Sequence, residues 1–387
     1  MFLSHRRSAS SLIGLCLTLA LGAGAAWGAP ATGEPILLGV SGPLTGANAQ
    51  YGAQWKKGFD LALGQINQEG GIGGRPLAYQ FEDSQSDPRQ SVAIAQKFVN
   101  DPRIVAEVGD FSSTASMAAS PIYQRAGLVQ YGFTNSHPNF TKGGDFMWSP
   151  ALTSTAETPR LVQYAAKLGL KKVALLYLDN DWGRASEATF KEVAPSLGIQ
   201  VVASEGYRAG EQDFRSTLVR VRDATPDGIA LISYYDDGAQ IVRQLRDVGL
   251  KEPVVAIGSV YSPKFIELAG KAAEGVYTES TFFPGDESPA VQRFVESFKA
   301  KYGEEPDEFD ADAYDAMIML ATVMRHSGTD RKAIRDGLAA ARDVPSVIFG
   351  QATFDPTTRR VTGGTPAFLV VRNGAFVTWD GTKPAHP

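Results

Sequence analysis

Short apolar runs alternate with amphipathic stretches along residues 36–133, and the same alternation restarts at residue 172. Ile36–Val40, Leu77–Phe81, Ile104–Val108 and Leu128–Phe133 have the length and composition of strands. Between them, Trp55–Gln68 sets Phe59, Leu61, Ala62, Leu63 and Ile66 on one helical stripe. Asp87-Pro88 is a helix start: an acid at the N-cap is followed by a proline at the first helical position, where a missing N–H costs nothing. Val92, Ile94, Ala95, Phe98 and Val99 continue that helix, and Thr114–Ala126 is a third. Strands separated by helices of this length pair in parallel, because each connection must carry the chain back to the same end of the sheet.

The second run follows a passage rich in Ser, Thr and Pro at Ser149–Pro159. Lys172–Tyr177, Ile199–Ser204 and Gly228–Ser233 read as strands, and Gly183–Leu197, Asp213–Asp223 and Gly238–Val248 as helices. Val254–Ile257 and Gly275–Thr278 are further short strands. Helices are then expected over Pro289–Tyr302, Ala311–His326 and Asp330–Ala341, before a hairpin of Ala367–Val371 and Ala375–Thr378 around Asn373-Gly374. The fold class is α/β: two Rossmann-like lobes in tandem, whose tail exceeds what the second lobe needs and returns to the first. A length of 387 residues accommodates two such lobes.

The first 28 residues read as a cleaved export signal. His5, Arg6 and Arg7 are the basic start, an apolar core runs from Leu12 to about Gly24, and small residues surround Ala26-Trp27-Gly28. That core is shorter than the roughly 20 residues of a membrane span. Cleavage there places the mature chain outside the cytoplasm and removes Cys16, the one cysteine, so neither a disulfide nor thiolate chemistry is expected. Thirty-five basic residues remain against 42 acidic ones, a balance of −7 that disfavours nucleic acid and anionic lipid as partners.

Function is sought where the topology puts it. In an open parallel sheet, ligands bind beyond the carboxyl ends of the strands, where helix N-termini present unpaired N–H groups. Phe111-Ser-Ser-Thr114 and Phe133-Thr-Asn-Ser-His137 are two adjacent strand ends, each bearing hydroxyls. One such hydroxyl is ordinarily a helix cap; two neighbouring clusters form a carboxylate pocket. A hydrolase triad of Ser113, His137 and Asp110 can be drawn, but no Gly-x-Ser-x-Gly elbow frames the serine and catalysis is not expected. Few histidines and no mature cysteine argue against zinc, no acidic loop has calcium spacing, and no cofactor is expected.

Ser41-Gly-Pro-Leu-Thr45, Ile66-Asn-Gln-Glu-Gly-Gly-Ile-Gly-Gly74, Asp83 to Asp87-Pro88, Phe111-Ser-Ser-Thr114, Phe133-Thr-Asn135 and Ala269-Gly-Lys-Ala-Ala-Glu-Gly275 occur in order with the spacings of one family. The mature chain resembles the leucine/isoleucine/valine-binding family of periplasmic solute receptors over essentially its whole length. The resemblance implies a type I periplasmic binding protein fold, with two lobes joined by a three-segment hinge that closes over a ligand. Residues 29–152 plus 282–362 would form the N-terminal lobe, and residues 153–281 plus 363–387 the C-terminal lobe. It also implies a monomer that hands a small carboxylate-bearing molecule to the membrane permease of an ABC importer.

Matched position by position, Ser113 and Thr134 resemble the hydroxyls that hold the ligand carboxylate, and Gly132 the residue whose main chain assists. Tyr51, in the turn after the first strand, resembles an aromatic lid; Trp182 and Tyr234 form the facing wall, and Phe309 lines the side-chain pocket. One position departs. Gly258 stands where amino-acid-binding members carry the acid that holds the ligand ammonium, leaving Asp110, Asp236, Asp237 or Glu279 as substitutes. Ser86 and Ser112 replace the cysteines that some members pair. A branched-chain or other hydrophobic amino acid is the expected cargo, with a non-amino carboxylate such as an aromatic acid, or a sensing role, as the alternatives.

Overall fold

A computed structural model describes residues 1–2, 31–364 and 366–381. The expected export signal, Cys16 and His386 therefore lie, apart from the first two residues, outside the described residues. The first sheet has the order β2-β1-β3-β4-β5, formed by β1 (Ile36–Gly42), β2 (Leu77–Asp83), β3 (Ile104–Gly109), β4 (Val129–Tyr131) and β5 (Met147–Trp148), all parallel. Their crossovers include α1 (Ala49–Gln68), α2 (Pro88–Asn100) and α3 (Ser113–Ala126). The start of α2 is as the sequence implies: Asp87 caps it by accepting from the Arg89 and Gln90 main chain, with Pro88 at its first position.

Two boundaries move in ways that matter for the site. Helix α1 begins two turns earlier than its apolar stripe suggests, so Tyr51 lies in a helix and not in a turn. The residues after Ser149 hold α4 (Ser154–Lys167), in place of an irregular passage. Pro159 near its start obscures this helix in the sequence, yet removes only one N–H from the ladder.

The second sheet comprises β6 (Lys172–Leu178), β7 (Gln200–Tyr207), β8 (Gly228–Ile232), β9 (Val254–Ala256) and β10 (Val276–Ser280), with α5 (Asp181–Val193), α6 (Arg215–Asp223), α7 (Tyr235–Asp247) and α8 (Pro263–Ala269) between them. The chain then returns to the first lobe through α9 (Pro289–Tyr302), α10 (Glu308–Ser327) and α11 (Arg331–Ala340), where α10 packs along α1. Two small ladders follow, β11 (Val344–Ser346) with β12 (Gly350–Ala352) and β13 (Phe354–Asp355) with β14 (Arg360–Val361).

The last hairpin, β15 (Ala367–Arg372) and β16 (Ala375–Thr378), crosses back and extends the second sheet antiparallel, giving the order β16-β15-β10-β9-β8-β6-β7. Its turn residues Asn373 and Gly374 have φ values of 52° and 73°, as a two-residue hairpin with right-handed twist requires. The chain thus passes between lobes three times, after β5, after β10 and before β15. Strands β8 and β9 are buried throughout, which explains their unbroken apolar sequence.

Candidate functional site

Between the lobes lies a cleft of about 870 Å³, counting the part open to solvent. Five of the seven residues expected to bind ligand line it: Ser113, Thr134, Trp182, Tyr234 and Phe309. Ser113 opens α3, directly after β3. Its neighbour Ser112 is the helix cap, accepting from the Ala115 main chain at 3.4 Å, so the Ser113 hydroxyl is free of that duty. Among the described residues, the Ser113 Oγ receives only a long 3.4 Å hydrogen bond from the His137 main chain. Thr134 Oγ1 is buried and has no partner among the described residues. Two hydroxyls at adjacent strand ends, one weakly engaged and one unengaged, can donate to an incoming anion.

Gly132 sits behind this pair and does not line the cleft. Its N–H donates to Trp148 O at 2.9 Å and its carbonyl accepts from Asn135 N at 3.0 Å, so both main-chain groups are occupied. A Cβ here would lie 2.6 Å from the Phe140 ring, so the position calls for glycine on packing grounds alone.

Tyr51 is also absent from the cleft wall. It is fully buried, and its hydroxyl donates to Ser259 O at 2.7 Å and accepts from Tyr235 N at 3.1 Å, both on the second lobe. Tyr235 reaches back, donating from its hydroxyl to Ala47 O at 2.9 Å. The Tyr51 ring stacks on Phe111 with centroids 3.8 Å apart and meets Phe309 edge-on at 4.6 Å. Phe111 meets Tyr234 at 4.9 Å, and Tyr234 stacks on Trp182 at 5.0 Å. A continuous file of aromatic rings therefore runs from one lobe to the other along one side of the cleft.

The far end of the cleft is acidic, which sequence reading did not anticipate. Glu308 and Asp312 project from one face of α10 and Glu157 from the first turn of α4. Asp315, one turn beyond Asp312, is held by Ser346 Oγ at 2.5 Å and the Val347 and Ile348 main chains at 2.8 and 3.1 Å. Glu308 accepts from the Thr281 main chain at 2.9 Å and from the Thr281 hydroxyl. Glu157 and Asp312 have no hydrogen-bond partner among the described residues. Burial, then Glu308, pushes Glu157 up to about 8, and burial, then Glu308 and Asp315, holds Asp312 well above the usual carboxylate range.

The sequence signal for this end is the spacing Glu308, Asp312, Asp315, which puts three acids on one helix face. Beginning the helix at residue 311 hid it. The Asp307–Asp310 capping box starts α10 three residues earlier.

The substitutes considered for the acid missing at Gly258 are mostly elsewhere. Asp110 accepts from Ser91 Oγ at 2.7 Å beneath the sheet, Asp237 is turned to Gly210 N at 3.4 Å, and Asp236 to Gln240 at 3.5 Å. Glu279 is closer: a Cβ on Gly258 would lie 3.8 Å from its Cγ. The sketched triad is not assembled. His137 uses Nδ1 to accept from Asn139 N at 3.1 Å, and Asp110 points at Ser91.

Arg360 is the cleft's internal prop. Buried at 6% exposure, it donates from Nη1 to Asn135 O, Ser149 Oγ and Ala151 O and from Nη2 to His137 O, at 2.8–3.1 Å. It thereby ties the returning strand β14 to both ends of the segment that follows Thr134.

The sequence pattern of the periplasmic binding protein family matches residues 35–379. A Leu/Ile/Val-binding protein homolog 1 of Brucella suis is 28% identical over 330 residues, covering 84% of this chain and 85% of its own. The branched-chain amino acid transporter substrate binding protein of Streptococcus pneumoniae, solved with isoleucine, is 27% identical with a TM-score of 0.83, over 89% of this chain and 98% of its own. A solute binding protein of R. palustris, solved with benzoate, shares the fold at 20% identity with a TM-score of 0.82, over 89% and 95%.

Proposed function

This chain belongs to the periplasmic binding protein family, and from that we propose that it is the extracytoplasmic receptor of an ABC importer, closing its two lobes over an amino acid. Ser113 and Thr134 receive the ligand carboxylate, and Trp182, Tyr234 and Phe309 enclose its body. The observation that carries this reading is the buried, unpartnered Thr134 Oγ1 beside the weakly engaged Ser113 Oγ, at the strand ends that face the second lobe. A buried hydroxyl without a partner costs stability unless something completes it, and a carboxylate would complete both. Tyr51 bridges the lobes from behind the cleft and so belongs to the closing device, with no direct hold on the ligand. The protein leaves the cytoplasm with its leader, residues 1–28, removed; it works as a monomer, delivers its cargo to a membrane permease and carries out no chemistry on it.

The Brucella and Streptococcus relatives are named for branched-chain amino acids, and the apolar cleft residues Leu152, Ile257, Met319 and Ile348 suit the carbon skeleton of an amino acid. A second reading, an aromatic carboxylate, is favoured by Gly258, which withdraws one partner for an ammonium, and by the file of rings along the cleft. Mass spectrometry of the small molecule released when the purified protein is denatured tests both. An amino acid supports the first reading, a desamino aromatic acid the second, and a molecule without a carboxylate overturns both.

A further inference from the structure

We infer that the ligand carries, besides the carboxylate received by Ser113 and Thr134, a side-chain cation seated among Glu157, Glu308 and Asp312, so that the cargo is a basic amino acid. This rests on the receptor reading above. An aliphatic side chain gives the deep end of the cleft nothing to pair with its carboxyls, and relatives named for branched-chain cargo do not decide what this chain's own acids face.

The acids form one set drawn from two helices. Glu308 and Asp312 lie four residues apart on α10, about 6 Å along the helix axis, and Glu157 enters from α4 across the hinge. A separate observation points to the same place from beneath. Glu279 on β10 is 4% exposed and its Oε2 has no partner among the described residues, and it adjoins Gly258 on the cleft wall, where a Cβ would lie 3.8 Å from its Cγ. Burial, and then the charge of Glu157, hold its carboxyl well above the carboxylate range, with Arg160 acting against them.

Arg160 and Arg360 offset Glu157 in part, but among the described residues neither donates a hydrogen bond to an acid of this set. Arg360 spends Nη1 and Nη2 on three main-chain oxygens and a serine hydroxyl, and Arg160 donates from Nη2 to Gly364 O at 3.4 Å; Arg360 Nε and Arg160 Nη1 have no partner among the described residues. Asp315 adds a further acid but is satisfied by Ser346 and two main-chain donors. Without ligand, the group relieves its repulsion by holding protons. A guanidinium or ammonium that enters replaces those protons and makes charge-assisted hydrogen bonds to several carboxylates at once. One α-ammonium needs a single carboxylate; three acids on the cleft wall with a fourth behind them exceed that need.

Titration calorimetry on protein refolded free of ligand, with L-arginine, L-lysine, L-leucine and benzoate as probes, tests this. L-arginine or L-lysine should bind at least 10-fold more tightly than L-leucine, and the binding heat should vary with buffer ionisation enthalpy because protons leave the acids. Asp312→Asn and Glu157→Gln should each weaken binding of the basic amino acid at least 10-fold, with circular dichroism confirming that both variants fold. Tighter binding of L-leucine or benzoate, or both variants within twofold of the wild type, overturns the inference and leaves the receptor reading standing. Binding of none of the four probes overturns the inference and counts against the amino-acid reading as well.

Discussion

The Tyr51 hydroxyl donates to the main-chain oxygen of Ser259 at 2.7 Å, although the two residues are 208 positions apart and lie on different lobes. Through the same oxygen, Tyr51 accepts from Tyr235 N. These bonds exist only with the lobes together, so they favour closure without requiring any atom of the ligand.

Tyr51→Phe should therefore weaken ligand binding while leaving the fold intact. Each bond contributes about 0.5–1.5 kcal/mol net, so the loss of two predicts a dissociation constant raised roughly 5- to 150-fold. Calorimetry against the released ligand, alongside thermal melting of the ligand-free variant, checks this. An unchanged affinity would show that Tyr51 does not hold the closed form.

Ser113 and Thr134 separate binding from stability. Ser112 caps α3, so Ser113→Ala should cost little stability. A hydrogen bond to an ionised group contributes about 1.5–3 kcal/mol, so its loss should raise the dissociation constant roughly 10- to 150-fold. Thr134→Val removes a buried hydroxyl that has no partner, so the ligand-free variant should melt at or slightly above the wild-type temperature while binding weakens similarly. A drop in melting temperature with affinity preserved would assign both hydroxyls to the scaffold.

Glu157 predicts a pH dependence. Burial, and then Glu308, raise it from 4.5 to about 8, so the folded state keeps a proton that the unfolded state releases. The stability that proton contributes is fully present below the unfolded value and is lost as pH rises toward the folded one. Glu157→Gln cannot titrate: it should melt close to the wild type at pH near 5 and about 2–4 °C above it near pH 8. A gap between variant and wild type that stays constant with pH would refute the assignment.

Arg360→Met should act on the scaffold. The side chain satisfies three carbonyls and a hydroxyl from the segment that carries Thr134 to the first crossover. Leaving these buried acceptors unpaired should lower the unfolding free energy by at least about 2 kcal/mol, read by urea denaturation. A loss below about 0.5 kcal/mol would show that the segment holds its course without the arginine.

The alternation of runs 36–40, 77–81 and 104–108 with amphipathic stretches was enough to read the parallel sheets, although only 36–40 is unbroken by a polar residue; 77–81 carries Gln80 in a half-buried strand and 104–108 carries the buried Glu107. The hairpin at Asn373-Gly374 was legible from the two residues that tolerate positive φ. What the sequence concealed came from local order that periodicity does not register. The Asp307 cap extends α10 over Glu308, and Pro159 masks the helix that positions Glu157. Both omissions fell on the acidic end of the cleft. Tyr51 was recognisable as an aromatic near the site, but its contact with Ser259 depends on how the lobes meet, which no local pattern encodes.

A two-lobed receptor that closes on its ligand becomes more compact when it binds, and small-angle scattering reads that change in solution. Protein stripped of ligand by denaturation and refolding is compared with the same protein after the released small molecule is added back to saturation. The radius of gyration should be smaller with the ligand present, and the change should be reduced for Ser113→Ala at the same ligand concentration. A radius that stays constant at saturation, with binding confirmed by calorimetry on the same sample, would contradict closure on the ligand.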